Sequence, residues 1–197
     1  MNRRTLLTLG AGVTAFTLAG HLPAAMAAEG LDGRLLADLE PDAMWSIYRR
    51  YRLRIVGQRD DEMASALAAA VVDVLARFLP TTRAQLSRAA DTRRVGVLIG
   101  TNQQDVAVMA AGSAEALFFA RPPFDDIRDI PVTLIVSFGS HVLVCRPDFI
   151  AGHAYLLAQT LAEHGGALPA PASAPVGVVP AHKGAHAFFA GKEMPDD

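Results

Sequence analysis

Apolar positions along the chain fall into short blocks separated by polar or glycine-containing breaks, and two blocks stand close together at its centre. Val95, Val97, Leu98 and Ile99 predict a short buried strand, stopped at Gly100. Thr101, Asn102, Gln103, Gln104 and Asp105 follow, all able to hydrogen-bond, and beyond them Val106, Met109 and Ala110 recur at helical spacing. The pattern predicts strand, polar elbow, helix. The first amides of such a helix lack partners inside it, and its dipole favours an anion, so the elbow is the first candidate for ligand recognition. Ligands of open α/β sheets sit in that place, beyond the strand ends.

The flanking pattern extends the picture. Residues 53–56 predict a strand stopped by Gly57, and Asp60 or Asp61 is placed to cap the next helix. That helix is the clearest in the chain: Met63, Leu67, Ala70, Val71, Val74, Leu75 and Phe78 form one apolar stripe, and Pro80 ends it. Residues 83–90 predict a shorter helix capped by Thr82, with Leu86 as its main apolar residue. Residues 132–136 and 142–145 predict two further strands, interrupted by Ser137, Phe138, Gly139, Ser140 and His141. Asp148 is placed to cap a helix carrying Phe149, His153, Leu156, Leu157 and Leu161 on or near one face, stopped by Gly165 and Gly166. Residues 167–180, rich in Pro and Ala, predict an irregular crossing, and residues 185–190 a last short helix. Upstream, Pro41 opens a helix with Met44, Trp45, Tyr48 and Tyr51 at helical spacing; Arg49, Arg50, Arg52 and Arg54 crowd its end, as a docking surface or as a solvated face. Strands alternating with helices argue for an α/β fold, a mostly parallel sheet flanked by helices, with Gly57 and Gly100 on one edge.

Composition narrows this to one packed domain behind an address. The chain has 197 residues, 51% hydrophobic and 19% charged, enough for a core and too apolar for wholesale disorder. The formal net charge of −2 argues against nucleic acid as a partner. Asn2, Arg3, Arg4, Thr5, Leu6 and Leu7 resemble a twin-arginine export motif, followed by a mildly apolar stretch and by Ala25, Met26 and Ala27 as a small-x-small cleavage site. Residues 1–27 are thus expected to be a twin-arginine-type signal peptide cleaved near Ala27 and Ala28. Residues 28–197 form the mature periplasmic domain in this reading. The 18 basic residues less the two leader arginines leave 16 against 20 acidic ones, a formal charge of −4 after cleavage. Cys145, the only cysteine, is expected to be a buried thiol.

The catalytic and metal patterns are weak. Ser137, Ser140, His141 and Asp148 invite a hydrolase reading, but no nucleophile-elbow motif is present, and nothing in the sequence orders them into a relay. Residues 137–141 are expected instead to form a loop beside the elbow that adds hydrogen-bond donors. His182 and His186 stand four apart without an evident third metal ligand; Asp125, Asp126 and Asp129 lack the spacing of a calcium loop. No P-loop or dinucleotide fingerprint occurs. The expectation is a non-enzymatic protein without a cofactor or metal.

Several segments resemble the TAXI group of TRAP-transporter solute-binding proteins. Residues 100–107, Gly-Thr-Asn-Gln-Gln-Asp-Val-Ala, resemble that family's strand–Gln–x–Asp–Val–Ala segment. Residues 126–130 followed by Leu143, Val144, Cys145 and Arg146 resemble its Leu-Arg-x-Ile segment and valine-rich strand. Residues 180–185 resemble its closing Pro-x-His-Pro-Gly-Ala motif, with Lys183 in place of Pro. Two departures stand out: the loop after the first strand keeps one glycine, Gly57, and the family has two lobes where this chain has length for about one. The resemblance implies a single lobe of a type II periplasmic-binding-protein-like fold. It also implies recognition of a small organic anion or amino acid, delivered to TRAP membrane subunits. The candidate ligand-binding residues are Thr101, Asn102, Gln103, Gln104, Asp105, Ser137, Ser140 and His141. The alternative is a non-catalytic interaction module of an exported complex, contacting another periplasmic protein.

Overall fold

A computed structural model describes residues 52–127 and 130–195. The predicted leader and the helix opening at Pro41 lie outside the described residues, apart from the end of its arginine cluster. The elements run β1 (Arg54–Gln58), α1 (Glu62–Phe78), β2 (Gln85–Ala89), α2 (Thr92–Gly100), β3 (Val106–Ala110), α3 (Ala111–Phe118), β4 (Thr133–Phe138), β5 (His141–Cys145), α4 (Ala151–Glu163) and α5 (Lys183–Phe189). The five strands form one sheet in the order β2-β1-β3-β5-β4.

The sheet is mixed, which corrects the expectation of a mostly parallel one. β1 pairs in parallel with β2 and β3, whereas β5 lies antiparallel between β3 and β4. The physical cause is the link from β4 to β5. Only Gly139 and Ser140 separate these strands, and a two-residue loop can join only antiparallel neighbours. Gly139 has φ +71°, the left-handed backbone that a type II′ hairpin turn requires at its first central position. Ser137, Phe138 and His141 therefore belong to strands, not to a loop.

Both faces of the sheet are covered. On one, Leu67, Val71 and Leu75 of α1 and Leu157 and Leu161 of α4 pack with Ile55, Val106, Val108 and Leu143. On the other, Val95 and Ile99 of α2 and Leu117 of α3 pack with Val56, Ala107, Met109 and Val144. In β4 a register shift between Leu134 and Val136 turns Ile135 and Val136 to the same face, so both join the first cluster. Among the described residues no helix is long and apolar enough to cross a membrane.

The centre of the chain is the reverse of its predicted order: Thr92–Gly100 is helix and Val106–Ala110 is strand. Asp91 starts the helix, its Oδ1 accepting the Arg94 amide at 2.7 Å. Every residue from Val95 to Gly100 is buried, because the helix is covered on both sides. The sheet lies beneath it. Above it, a Cβ on Gly96 would stand 2.6 Å from Phe124, and one on Gly100 2.2 Å from Ile130. A helix enclosed on both sides carries no polar stripe, so its residues look like a strand. β3 is buried along Val106 to Met109, which erases the alternation of a half-exposed strand.

Two further expectations change. Residues 85–89, predicted as helix, form β2, an edge strand paired with β1 from Arg54–Gln85 to Gln58–Ala89. Asp148 does not cap α4; Ile150 occupies that position without a side-chain bond, and Asp148 accepts from Arg146 Nε at 3.0 Å. The expectations for β1, α1, β4, β5 and the last helix agree with the structure within a few residues.

Candidate functional site

A cavity of about 620 Å³ opens at the edge of the sheet where β1 and β3 begin and β5 ends. Five segments meet there. Arg52 and Leu53 lead into β1, and Leu53 is held by its amide to Thr82 O at 3.0 Å and its carbonyl to the Gln85 amide at 2.8 Å. Leu79, Thr81 and Thr82 form the turn after α1. Asn102 and Asp105 come from the link between α2 and β3, Arg146 follows β5, and residues 148–157 bring the start of α4. The volume is ordinary for a small-molecule site.

The 101–105 link closes the carboxyl end of α2, not the amino end of a helix as predicted. Asn102 donates its amide to Ile99 O at 3.1 Å from a left-handed backbone (φ +55°), and the Gln103 and Gln104 amides both reach Leu98 O, at 2.9 and 3.0 Å. The helix dipole here presents negative charge, which favours a cation. Arg146 answers that preference: its Nη1 lies 3.4 Å from Gly100 O and 3.5 Å from Ile99 O, while Nε donates to Asp148. Its Nη2 makes no hydrogen bond to the described residues. An anion in this cavity is attracted by Arg52 and Arg146; a cation is attracted by Asp105, Asp148 and the end of α2.

The eight predicted site residues divide three ways. Asn102 and Asp105 line the cavity. Thr101 and Gln104 are each 3% exposed; Thr101 Oγ1 donates to Val97 O at 2.7 Å, and both serve the interior, as Gln104 Oε1 is enclosed without a partner among the described residues. Gln103 is partly exposed outside the cavity lining. Ser137, Ser140 and His141 lie at the opposite edge. Val106 pairs with Cys145 and Ala110 with His141, so the two ends are four residues apart along the strands, about 13 Å. The sequence reading missed Arg146 and His153 as site residues, although Arg146 stands directly after the predicted fourth strand.

At that opposite edge three side chains form a chain of hydrogen bonds. Ser140 Oγ lies 3.0 Å from His141 Nδ1, and His141 Nε2 lies 2.9 Å from Asp61 Oδ2. Asp61 is also the N-cap of α1, its Oδ1 accepting the Ala64 amide at 2.9 Å. Partial burial pushes the Asp61 carboxyl up, but the Ala64 amide and His141 outweigh it and hold the group below the usual carboxylate range. Ser137 is buried, its backbone paired with Ser173 and its Oγ without a partner among the described residues.

Two other candidates are structural. His182 is 1% exposed and caps α5, its Nδ1 accepting the Gly184 amide. Cys145 is buried beside Thr133, as expected; loss of solvation pushes its thiol up to about 12.

The fold and cavity thus define an α/β protein with a mixed five-stranded sheet and a charged recess at one edge. No protein-family model, curated protein or solved structure matches the chain.

Proposed function

We propose that the cavity binds a small amino acid, or a closely related organic anion, without covalent chemistry. One observation carries this reading: two guanidinium groups, Arg52 and Arg146, and two carboxylates, Asp105 and Asp148, line one recess of about 620 Å³. A carboxylate on the ligand would meet Arg146 Nη2 and Arg52, and planar guanidinium suits that contact. An ammonium group would lie towards Asp105 and the carbonyl end of α2. Phe149 and Leu157 supply an apolar wall. The α/β layering and the resemblance to TAXI-type solute-binding proteins support reading the chain as one lobe of that class. Its role there is to present the solute to a TRAP membrane unit.

A thermal-shift screen against amino acids and dicarboxylates tests the reading. A ligand at 100 times its dissociation constant adds about 2.7 kcal/mol of stability. The shift is expected to vanish in Arg146→Ala and to persist in Ser140→Ala. No response to any member of the panel, or a response lost in Ser140→Ala but kept in Arg146→Ala, overturns it.

A further inference from the structure

The edge opposite the cavity holds an arrangement that binding does not use. We propose that Ser140, His141 and Asp61 form an acyl-transfer centre that accepts small, unhindered esters, with Ser140 as nucleophile. It is a second site, independent of the cavity.

The hydrogen-bond chain sets the proton positions. An ionised Asp61 only accepts, so the 2.9 Å contact places the ring proton of His141 on Nε2. Nδ1 then presents its lone pair to Ser140 Oγ at 3.0 Å, the state a general base needs. The carboxylate is held in turn by the Ala64 amide at the first turn of α1, so the orienting group sits on a rigid helix. His141 is 7% exposed and shielded from bulk water, whereas Ser140 is exposed on its two-residue turn. The nucleophile is open to substrate and its base is not.

The surroundings suit a developing oxyanion. α3 begins beside the turn, its Ala111 amide donating to Ser140 O at 2.9 Å. Its N-cap is Ala110, which supplies no side-chain oxygen, so the next amides, Gly112 and Ser113, are not capped by that residue. A Cβ on Gly112 would meet nothing within 4 Å, so there is room over this helix start. The amide dipoles there favour negative charge on a tetrahedral intermediate. The edge is also the one where the parallel strands β1 and β3 end, where α/β folds place their chemistry.

The reaction balances without a cofactor. Ser140 Oγ bonds to the ester carbonyl carbon as its proton passes to His141 Nδ1; the bond to the alcohol oxygen breaks, and that oxygen leaves with the proton from Nδ1. Water then attacks the acyl-serine, giving its proton to Nδ1. The serine oxygen recovers a proton from the same nitrogen as the acid departs. His141 carries the proton each way, and Asp61 is a positioning residue that fixes its tautomer.

The test uses the full chain with a fluorophosphonate probe, which modifies activated serines, and p-nitrophenyl acetate as ester. The expected result is one label, mapped by peptide mass to Ser140 and absent in Ser140→Ala, with acetyl release from the same residue. His141→Gln lowers the maximal labelling rate by at least about tenfold. Asp61→Asn keeps an N-cap as good as aspartate, so it retains the fold while lowering the maximal labelling rate and leaving the half-saturating probe concentration unchanged. A folded protein that takes no label at Ser140, or an Asp61→Asn variant labelled as fast as the parent, overturns the proposal.

Discussion

Asp61 joins the first helix to the start of β5, and its truncation tests that junction. In Asp61→Ala the Oδ1 contact to the Ala64 amide is lost, a cap deletion that costs about 1 kcal/mol. The Oδ2 contact at 2.9 Å is lost too, leaving His141 Nε2 without its partner on a residue 7% exposed, which costs a further 1–3 kcal/mol or about that. The total is about 2–4 kcal/mol, and Asp61→Asn, which keeps the cap, should lose about half as much or less. Urea unfolding followed by far-UV circular dichroism at pH 7 reads both differences from the midpoints at constant slope. The pH dependence has a definite sign. Because the folded carboxyl titrates below its ordinary value, its contribution is fully present above the unfolded titration range. It is lost as pH falls through the folded value. The gap between parent and Asp61→Ala should therefore be constant near neutrality and close in acid. Equal midpoints for parent and Asp61→Ala, or a gap that widens in acid, would refute the assignment of both contacts.

Two other substitutions and probes follow from the packing. Gly184→Ala should lower stability by at least about 2 kcal/mol, because its Cβ would stand 2.0 Å from the Ala151 carbonyl oxygen, on backbone that cannot step aside; Gly112→Ala, facing open space, should be neutral or stabilising by the same urea titration. Buried, and with its thiol pushed up to about 12 by loss of solvation, Cys145 should be inert to Ellman's reagent at pH 8 in the folded protein and should react at once in urea; prompt reaction without denaturant would contradict its burial.

The parts of the fold legible in the sequence are those exposed on one side. Met63 to Phe78 shows its stripe because α1 has one face on the sheet and one in water: Leu67, Val71 and Leu75 are buried and Glu62 and Arg77 stand in its end turns. A cap at Asp60 or Asp61 was equally legible, since the cap is local, and the structure uses Asp61. The bodies of β4 and β5 were read correctly as strands on either side of Gly139, but the end of β4 and the start of β5, at Ser137, Phe138 and His141, were read as loop. The site was legible only in fragments. Asn102 and Asp105 were placed with the cavity for the wrong reason, as the mouth of a helix rather than its end. The bond between Asp61 and His141 spans 80 positions and leaves no local trace.

What the sequence determined, then, was the α/β class, the amphipathic helix α1, the cap just ahead of it and the break at Gly139, all set by neighbours within a few residues. Tertiary structure alone decided three things. Residues 92–100 became helix and 106–110 strand because Phe124, Ile127 and Ile130 cover the first and both helical layers cover the second, so burial removed the periodicity that would have told them apart. Residues 85–89 became a strand because β1 offered an open edge to pair with. And the polar residues were sorted to two opposite edges of the sheet by the reversed run of β5, a consequence of a two-residue turn acting at the scale of the whole domain.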